Sequence, residues 1–585
     1  MTTSLAPARP TAPAPVPHRP APGGLAVRRV GRALGWAAAA GVPVAFLAVF
    51  FAWPVAAMVS RGFVTDGWLD LSGFVEVFSR PRTWRIVGLT LAQASVGTAL
   101  SVLLGVPGAY LLYRCRFRGR GVLRALVTVP FVLPTVVVGV AFRSVLAPGG
   151  LLGFLRLDGT FTAIVAALVF FNYGLVVRTV GALWERLDPR TEQAARALGA
   201  SPWRVLTSVT LPALTPAIAG AASLTFLFCA TAFGTVLVLG GLRFGTVETE
   251  IWVQTTQYLD LRAAAVLSVV QLVVVVAALA VAGRARSRQD RALSLTEPVD
   301  ATHRLALRRR SAGGDLVGID RAAAAVTAVG VALVVVPLAG LVVRSLHTPS
   351  GWGLGNYVAL AQPGGALPVS AWAATVTSVR VALDATWLAL VVGGLVAVVV
   401  SRRPRAAGLR RAVGGLDAAF MLPLGVSAVT VGFGFLLVMD QPFGLHIDLR
   451  TSPLLVPVAQ AVVAVPLVVR TVLPVLRAID PRQREVAATL GAAPGRVLRT
   501  IDLPLALRGL GLAAALAFAT SLGEFGATSF LARPDRPTLP VLIFRLIGRP
   551  GEATYGMALA ASVLLAALSA GVVALLGRGR TGVVA

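Results

Sequence analysis

The sequence predicts an all-α polytopic membrane protein of about twelve transmembrane helices in two six-helix repeats, and three observations carry that prediction. The 585 residues are 56% hydrophobic and only 13% charged, about half the charged fraction of a soluble domain. Apolar runs of about 20 residues, enough to cross the hydrocarbon core of a bilayer, recur from end to end. Two long stretches of the chain match one another at a single offset.

The elements follow in order. Residues 1–33, rich in Pro and Ala, read as a disordered cytoplasmic tail. They lack the short apolar core and cleavage site of a signal peptide, so the first span is expected to be an uncleaved anchor. A first six-helix domain, 34–284, has spans near 36–59, 86–112, 122–146, 161–184, 208–238 and 261–283. A polar, Arg-rich cytoplasmic linker follows at 285–320. The second six-helix domain, 321–579, has spans near 322–344, 374–400, 413–438, 452–477, 504–530 and 556–577. Pro130, Pro134 and Pro423 fall within spans and predict kinks.

The net charge of +28 comes from 53 Arg and no Lys. These Arg residues cluster in short segments between apolar runs, which argues against nucleic-acid binding and for the positive-inside rule. Arg28, Arg29 and Arg32, the loop RCRFRGRG, the linker and SRRPRAAGLRR fall on one side if both termini are cytoplasmic. Arg in place of Lys, with abundant Ala, Gly and Val, suggests a GC-rich bacterial genome, so the expected setting is a bacterial inner membrane. One segment disagrees. The outer stretch 532–555 carries Arg533, Arg536, Arg545 and Arg549, which an interfacial helix would accommodate.

Without lysine there is no Walker A loop, so any ATP hydrolysis must occur on another chain. Cys115 and Cys229 imply neither a disulfide framework nor a metal site. His18, His303, His347 and His446 show no metal-ligand spacing. No acid–base pair or nucleophile constellation marks an enzyme.

The repeat is in firm register. LVVRTV occurs at 175–180 and again at 467–472, an offset of 292. At that offset Asp188-Pro189 matches Asp480-Pro481, Gly199 matches Gly491, Leu211-Pro212 matches Leu503-Pro504, and Phe233-Gly234 matches Phe525-Gly526. A duplicated six-helix unit implies two half-transporters with a pathway between them. Within each copy the Asp suits a helix N-cap and the Pro its first position. The Gly suits a left-handed C-cap, and a second short helix runs to the Leu-Pro. The product is a small-faced helix–turn–helix that another protein could approach closely.

That segment resembles the EAA–x3–G–x9–I–x–LP pattern of permease subunits of binding-protein-dependent ABC importers. The second copy supplies Glu485, Val486, Ala487, Gly491, Ile501, Leu503 and Pro504; the first supplies Gln193, Ala194, Ala195, Gly199, Val209, Leu211 and Pro212. The resemblance covers both halves and departs from the pattern at Gln193 and Val486. It implies a type I ABC importer permease fold. It also implies that Gln193, Ala194, Ala195, Gly199, Glu485, Ala487 and Gly491 form coupling helices that dock on an ABC ATPase dimer. ATP-Mg would then be bound by that partner, with no cofactor on this chain, and a solute-binding protein would deliver substrate from outside.

Two halves in one chain resemble the ferric-iron and thiamine branch. CATAFGTVLVLGG (229–241), TVETEIW (246–252), SLGEFGATSFL (521–531) and RPTLPVLIF (536–544) are most similar to thiamine-type permeases. GEFGAT is also similar to sulfate and molybdate permeases, which leaves an anionic substrate as the alternative.

Ionisable groups within membrane helices are costly and usually face a cavity or a partner. Glu524, whose counterpart is Ala232, is the first substrate-path candidate, since a carboxylate would favour a cation; the other reading is a hydrogen-bonded structural acid. Asn172 is the second candidate, set against an interhelical hydrogen bond. Arg380 and Asp384 are expected to neutralise each other on one helix face. Glu248 and Glu250 are expected in a solvated loop. The rival class is an ion-gradient-driven secondary transporter, which should hold more intramembrane acids.

Overall fold

The computed structural model describes residues 38–65, 67–241, 243–293, 303–305, 314–362, 367, 369–402 and 406–578. The expected tail, and 294–302 and 306–313 of the expected linker, lie outside the described residues.

The first half contains α1 (Ala38–Phe63), α2 (Ser72–Ser79), α3 (Pro81–Arg114), α4 (Arg120–Thr128), α5 (Thr135–Leu146) and α6 (Phe161–Trp184). It continues through α7 (Pro189–Ala197), α8 (Pro202–Ala230), α9 (Gly234–Gly240), α10 (Val247–Thr256) and α11 (Leu261–Leu293). The second half repeats the order as α12 (Gly314–Ser345), α13 (Gly355–Ala361), α14 (Ala371–Ser401), α15 (Ala407–Gly425), α16 (Ala428–Val438) and α17 (Leu455–Ala478). It ends with α18 (Pro481–Thr489), α19 (Leu503–Leu522), α20 (Thr528–Leu531), α21 (Leu539–Ile547) and α22 (Glu552–Arg578). Each helix of the first set has its counterpart eleven places later.

Among the described residues, nine helices are long and apolar enough to cross a membrane, or twelve if three bent pairs each count as one span. The spans expected near 122–146 and 413–438 are therefore not single rods. The first bends by 110° between Arg120–Val132 and Thr135–Leu146, the second by 94° between Ala407–Pro423 and Ala428–Gly444. Pro130 and Pro134 in one, and Pro423 in the other, remove backbone donors where the chain turns. The spans near 208–238 and 504–530 also break. Each ends at Ala230 or Leu522, and a short helix restarts after it. The helix expected to stop near 283 runs on to Leu293, and α12 already begins at Gly314. The Arg-rich 532–555 stretch forms the short helix α21, in which Arg545 is half-buried.

Each half lends its first helix to the other. A Cβ on Gly434 of α16 would come within 2.9 Å of Pro54 of α1, and Trp53 stacks on Phe443 with ring centroids 4.2 Å apart. Reciprocally, a Cβ on Gly330 of α12 would meet the Tyr173 ring of α6 at 2.5 Å, and the Arg344 Nη1 donates to the Ser144 carbonyl at 2.9 Å. Small residues let membrane helices approach this closely. One apolar core, including Val136, Phe233, Val429, Phe525 and Leu542, runs across the junction of the halves.

Candidate functional site

The two helix–turn–helix segments take up the geometry that their residues dictate. The Asp188 Oδ1 accepts the Arg190 backbone N–H at 2.9 Å, and the Asp480 Oδ1 accepts that of Arg482 at 2.9 Å. Gly199 and Gly491 close α7 and α18 with φ of 84° and 79°, in the left-handed region that glycine enters without penalty. No residue of α7 or α18 is buried. Gln193, Ala194 and Glu485 are exposed, while Ala195 and Ala487 are half-buried.

Sequence reasoning passed over Leu198 and Leu490, which share one register position directly before these glycines. They are 89% and 82% exposed. A large apolar side chain held that far into solvent on both copies marks a contact surface.

Beneath each segment lies an ion-pair anchor. In the first copy Glu192 of α7 pairs with Arg114 of α3 at 2.9 Å and accepts the Thr210 hydroxyl of α8 at 3.0 Å. In the second, Asp502 pairs with Arg402 at the end of α14 at 2.6 Å and with Arg484 of α18 at 2.7 Å. Arg484 also donates to the Leu476 carbonyl at 3.0 Å. By register Glu192 corresponds to Arg484 and Thr210 to Asp502. The carboxylate has moved from the surface helix to the membrane helix, and the anchor survives. Asp502, 1% exposed, sits on a π-helical turn, Leu498–Asp502, matched in the first copy by Leu206–Thr210. Comparing the copies position by position would have found this compensation.

A second constellation lies where the halves meet. The rings of Phe233 and its counterpart Phe525 stack with centroids 5.4 Å apart and planes inclined by 17°. Trp252 and its counterpart Phe544 meet edge to face at 5.8 Å. Phe233 lies 6.4 Å from Trp252, and Phe525 lies 5.2 Å from Phe544. Four aromatic rings, two from each half, thus close the junction at distances where aromatic pairs attract.

Beside them is a buried acid that the sequence reading placed elsewhere. Glu248 and Glu250 do not lie in a solvated loop; they sit on α10, 0% and 4% exposed. Thr246 and Thr249 form a capping box that starts this helix, and Val247, Ile251 and Val253 are buried along it. The Arg82 guanidinium grips Glu250 through two hydrogen bonds of 3.1 and 2.9 Å, and Gln254 adds a third at 2.8 Å. Glu248 has no such partner. Its Oε2 accepts the Ser427 hydroxyl of α16, across the junction, while its Oε1 has no hydrogen-bond donor. The side-chain amide of Gln271 is its second polar neighbour, and the nitrogen of that amide also donates to the Ala230 carbonyl at 3.2 Å.

The remaining expected residues are placed as follows. Glu524 sits between α19 and α20. Its Oε1 accepts the Ala527 N–H at 2.8 Å, and its Oε2 accepts both the N–H and the hydroxyl of Thr528. It caps its own following turn, with no loop arginine among these partners. Asn172 lies between α6 and α8, donating to the Leu168 carbonyl at 2.9 Å and to the Cys229 sulfur at 3.4 Å. Arg380 and Asp384 are both exposed on α14 and are not an ion pair among the described residues, contrary to expectation.

Residues 97–289 match the family model of the binding-protein-dependent transport system inner membrane component. The thiamine transport system permease protein of Brucella abortus is 27% identical over 550 residues, covering 91% of this chain and 93% of that protein. The Escherichia coli protein of the same name is 27% identical over 489 residues, 81% of this chain and 85% of its own length. The E. coli sulfate transport system permease protein is 30% identical over 226 residues, 37% of this chain and 80% of that one. Matches that span both halves of one class of permease and four-fifths of another leave one conclusion: the chain belongs to the family of binding-protein-dependent transport system inner membrane components, the permeases of ABC importers.

Proposed function

We propose that this permease carries thiamine inward, delivered by an extracytoplasmic solute-binding protein and driven by an ABC ATPase dimer on separate chains. The observation that carries the reading is the end-to-end similarity to proteins named as thiamine permeases, 27% over 91% of the chain. Domains 34–284 and 321–579 form the two walls of the pathway, joined by the 285–320 linker, with both termini in the cytoplasm. Gln193, Ala194, Ala195 and Gly199 form one coupling helix, and Glu485, Ala487 and Gly491 the other. Each is exposed or half-buried, as a docking element requires. ATP-Mg binds to the ATPase, and the permease itself holds no cofactor. Glu524 and Asn172 border the substrate path, each held there by its hydrogen bonds.

The test is uptake into proteoliposomes holding permease and ATPase, with the binding protein outside and ATP inside. Labelled thiamine should accumulate only with all components present. Accumulation of ferric iron or sulfate in its place would overturn the substrate. Thiamine uptake driven by an ion gradient without the ATPase would overturn the class.

A further inference from the structure

Glu248 is 0% exposed, and one of its oxygens has no donor. Among the described residues no arginine pairs with it; its neighbours are the Ser427 hydroxyl and the Gln271 amide, both neutral. A carboxyl group buried in a protein interior without a cation is costly, and such groups cluster at functional sites. The contrast with Glu250, two residues away, is informative. That acid has a resident arginine and extra hydrogen bonds, and its place is structural.

The surroundings of Glu248 supply what a flat organic cation needs. Trp252 lies one helical turn further along α10, on the same face. Its ring adjoins Phe233 and Phe544, and Phe233 stacks on Phe525. Aromatic faces within about 6 Å attract a cation through the ring quadrupole, most strongly where water is excluded. The elements also meet across the junction of the halves. Ser427 belongs to α16, and a Cβ on Gly526, beside Phe525, would lie 3.0 Å from the Ala428 Cβ. Carboxylate and rings therefore belong to one site built by both repeats.

From this geometry we infer that Glu248, Trp252, Phe233, Phe525 and Phe544 form a transient binding site for an aromatic, permanently charged cation such as the thiazolium ring of thiamine. In the structure described the stack is shut. A ring sandwiched between Phe233 and Phe525 needs two van der Waals contacts of about 3.5–4.0 Å, or about 7–8 Å between their planes. The centroids now lie 5.4 Å apart. Parting of the halves opens the sandwich and exposes the vacant oxygen of Glu248 together. The cation completes the site; when it leaves, the rings close again. The position that corresponds to Glu248 in the second half is Pro540, so the site has one acidic side chain and is asymmetric.

The inference rests on the thiamine reading. It is tested in the complete importer by measuring thiamine taken up per ATP hydrolysed, together with ATPase stimulation by the loaded binding protein. Glu248→Gln should lower uptake per ATP about tenfold and leave stimulation within twofold. Trp252→Leu should act in the same direction, while Trp252→Phe should retain most uptake. Unchanged uptake per ATP in Glu248→Gln, with the wild type active, overturns the site and leaves the thiamine reading standing. If Glu248→Gln does not assemble, the Trp252 pair decides: equal uptake by the Leu and Phe variants overturns the site. A wild-type importer that carries no thiamine fails the underlying reading itself.

Discussion

Transplanting the second anchor into the first half puts the charge transposition to a quantitative test. Glu192→Arg places two guanidinium groups at the first anchor with no acid between them. The side chains of Arg114 and Glu192 are only 7% and 15% exposed, so the pair lies nearer the buried limit than the surface one. Breaking buried pairs costs about 3–5 kcal/mol and exposed ones under about 1 kcal/mol, which puts this loss near 3 kcal/mol. Adding Thr210→Asp to Glu192→Arg recreates the arrangement around Asp502, where one carboxylate holds two arginines at 2.6 and 2.7 Å. The double variant should recover at least about 2 kcal/mol. Thr210→Asp alone sets two carboxylates against one arginine and should destabilise. Denaturation of the four proteins in mixed detergent micelles measures the cycle. A double variant no more stable than Glu192→Arg would refute the view that both copies use one anchor in two charge arrangements.

Three further outcomes are expected. Gly491→Ala forces a left-handed residue where no atom lies within 4 Å of the added Cβ, so the cost is conformational alone, about 1–2 kcal/mol in a thermal melt; an unchanged melting temperature would contradict this. Leu198→Asp and Leu490→Asp should abolish ATPase co-purification without lowering permease stability, and Glu485→Gln should weaken ATPase coupling more than Gln193→Ala; normal co-purification of the Leu variants would remove those side chains from the contact. Cys115, beyond the end of α3, has its thiol pushed up to about 12, by burial first and by the Asp320 carboxylate second. It is therefore neutral at pH 8 and should resist thiol reagents until the protein is denatured. Rapid labelling of the native protein would contradict the burial.

The repeat, the number of spans and the coupling segments were legible because each depends on local spacing. Asp–Pro starts and Gly ends are written within a few residues of the backbone they control. The junction was not legible, since it depends on which faces meet. TVETEIW carries two acids, and charge alone suggests solvent; only the packing of α10 against α3 and α16 shows one acid tied to Arg82 and the other left without a cation. The anchors were half legible. Glu192 against Arg484 and Thr210 against Asp502 look like drift when each position is read separately, and like compensation once they are known to touch. The broken helices followed from Pro130, Pro134 and Pro423 in kind, but bends of 110° and 94° exceed what kinked rods suggest.

The exchange of first helices has a mechanical consequence. A pathway that opens between two halves on every cycle risks losing one wall to the lipid. Here α1 is fitted to α16 through Gly434 and Pro54, and α12 to α6 through Gly330 and Tyr173. Each wall is strapped across the other, so when the halves part at the aromatic junction each strap travels with the opposite wall. The two halves stay joined through these helices while the aromatic junction between them opens.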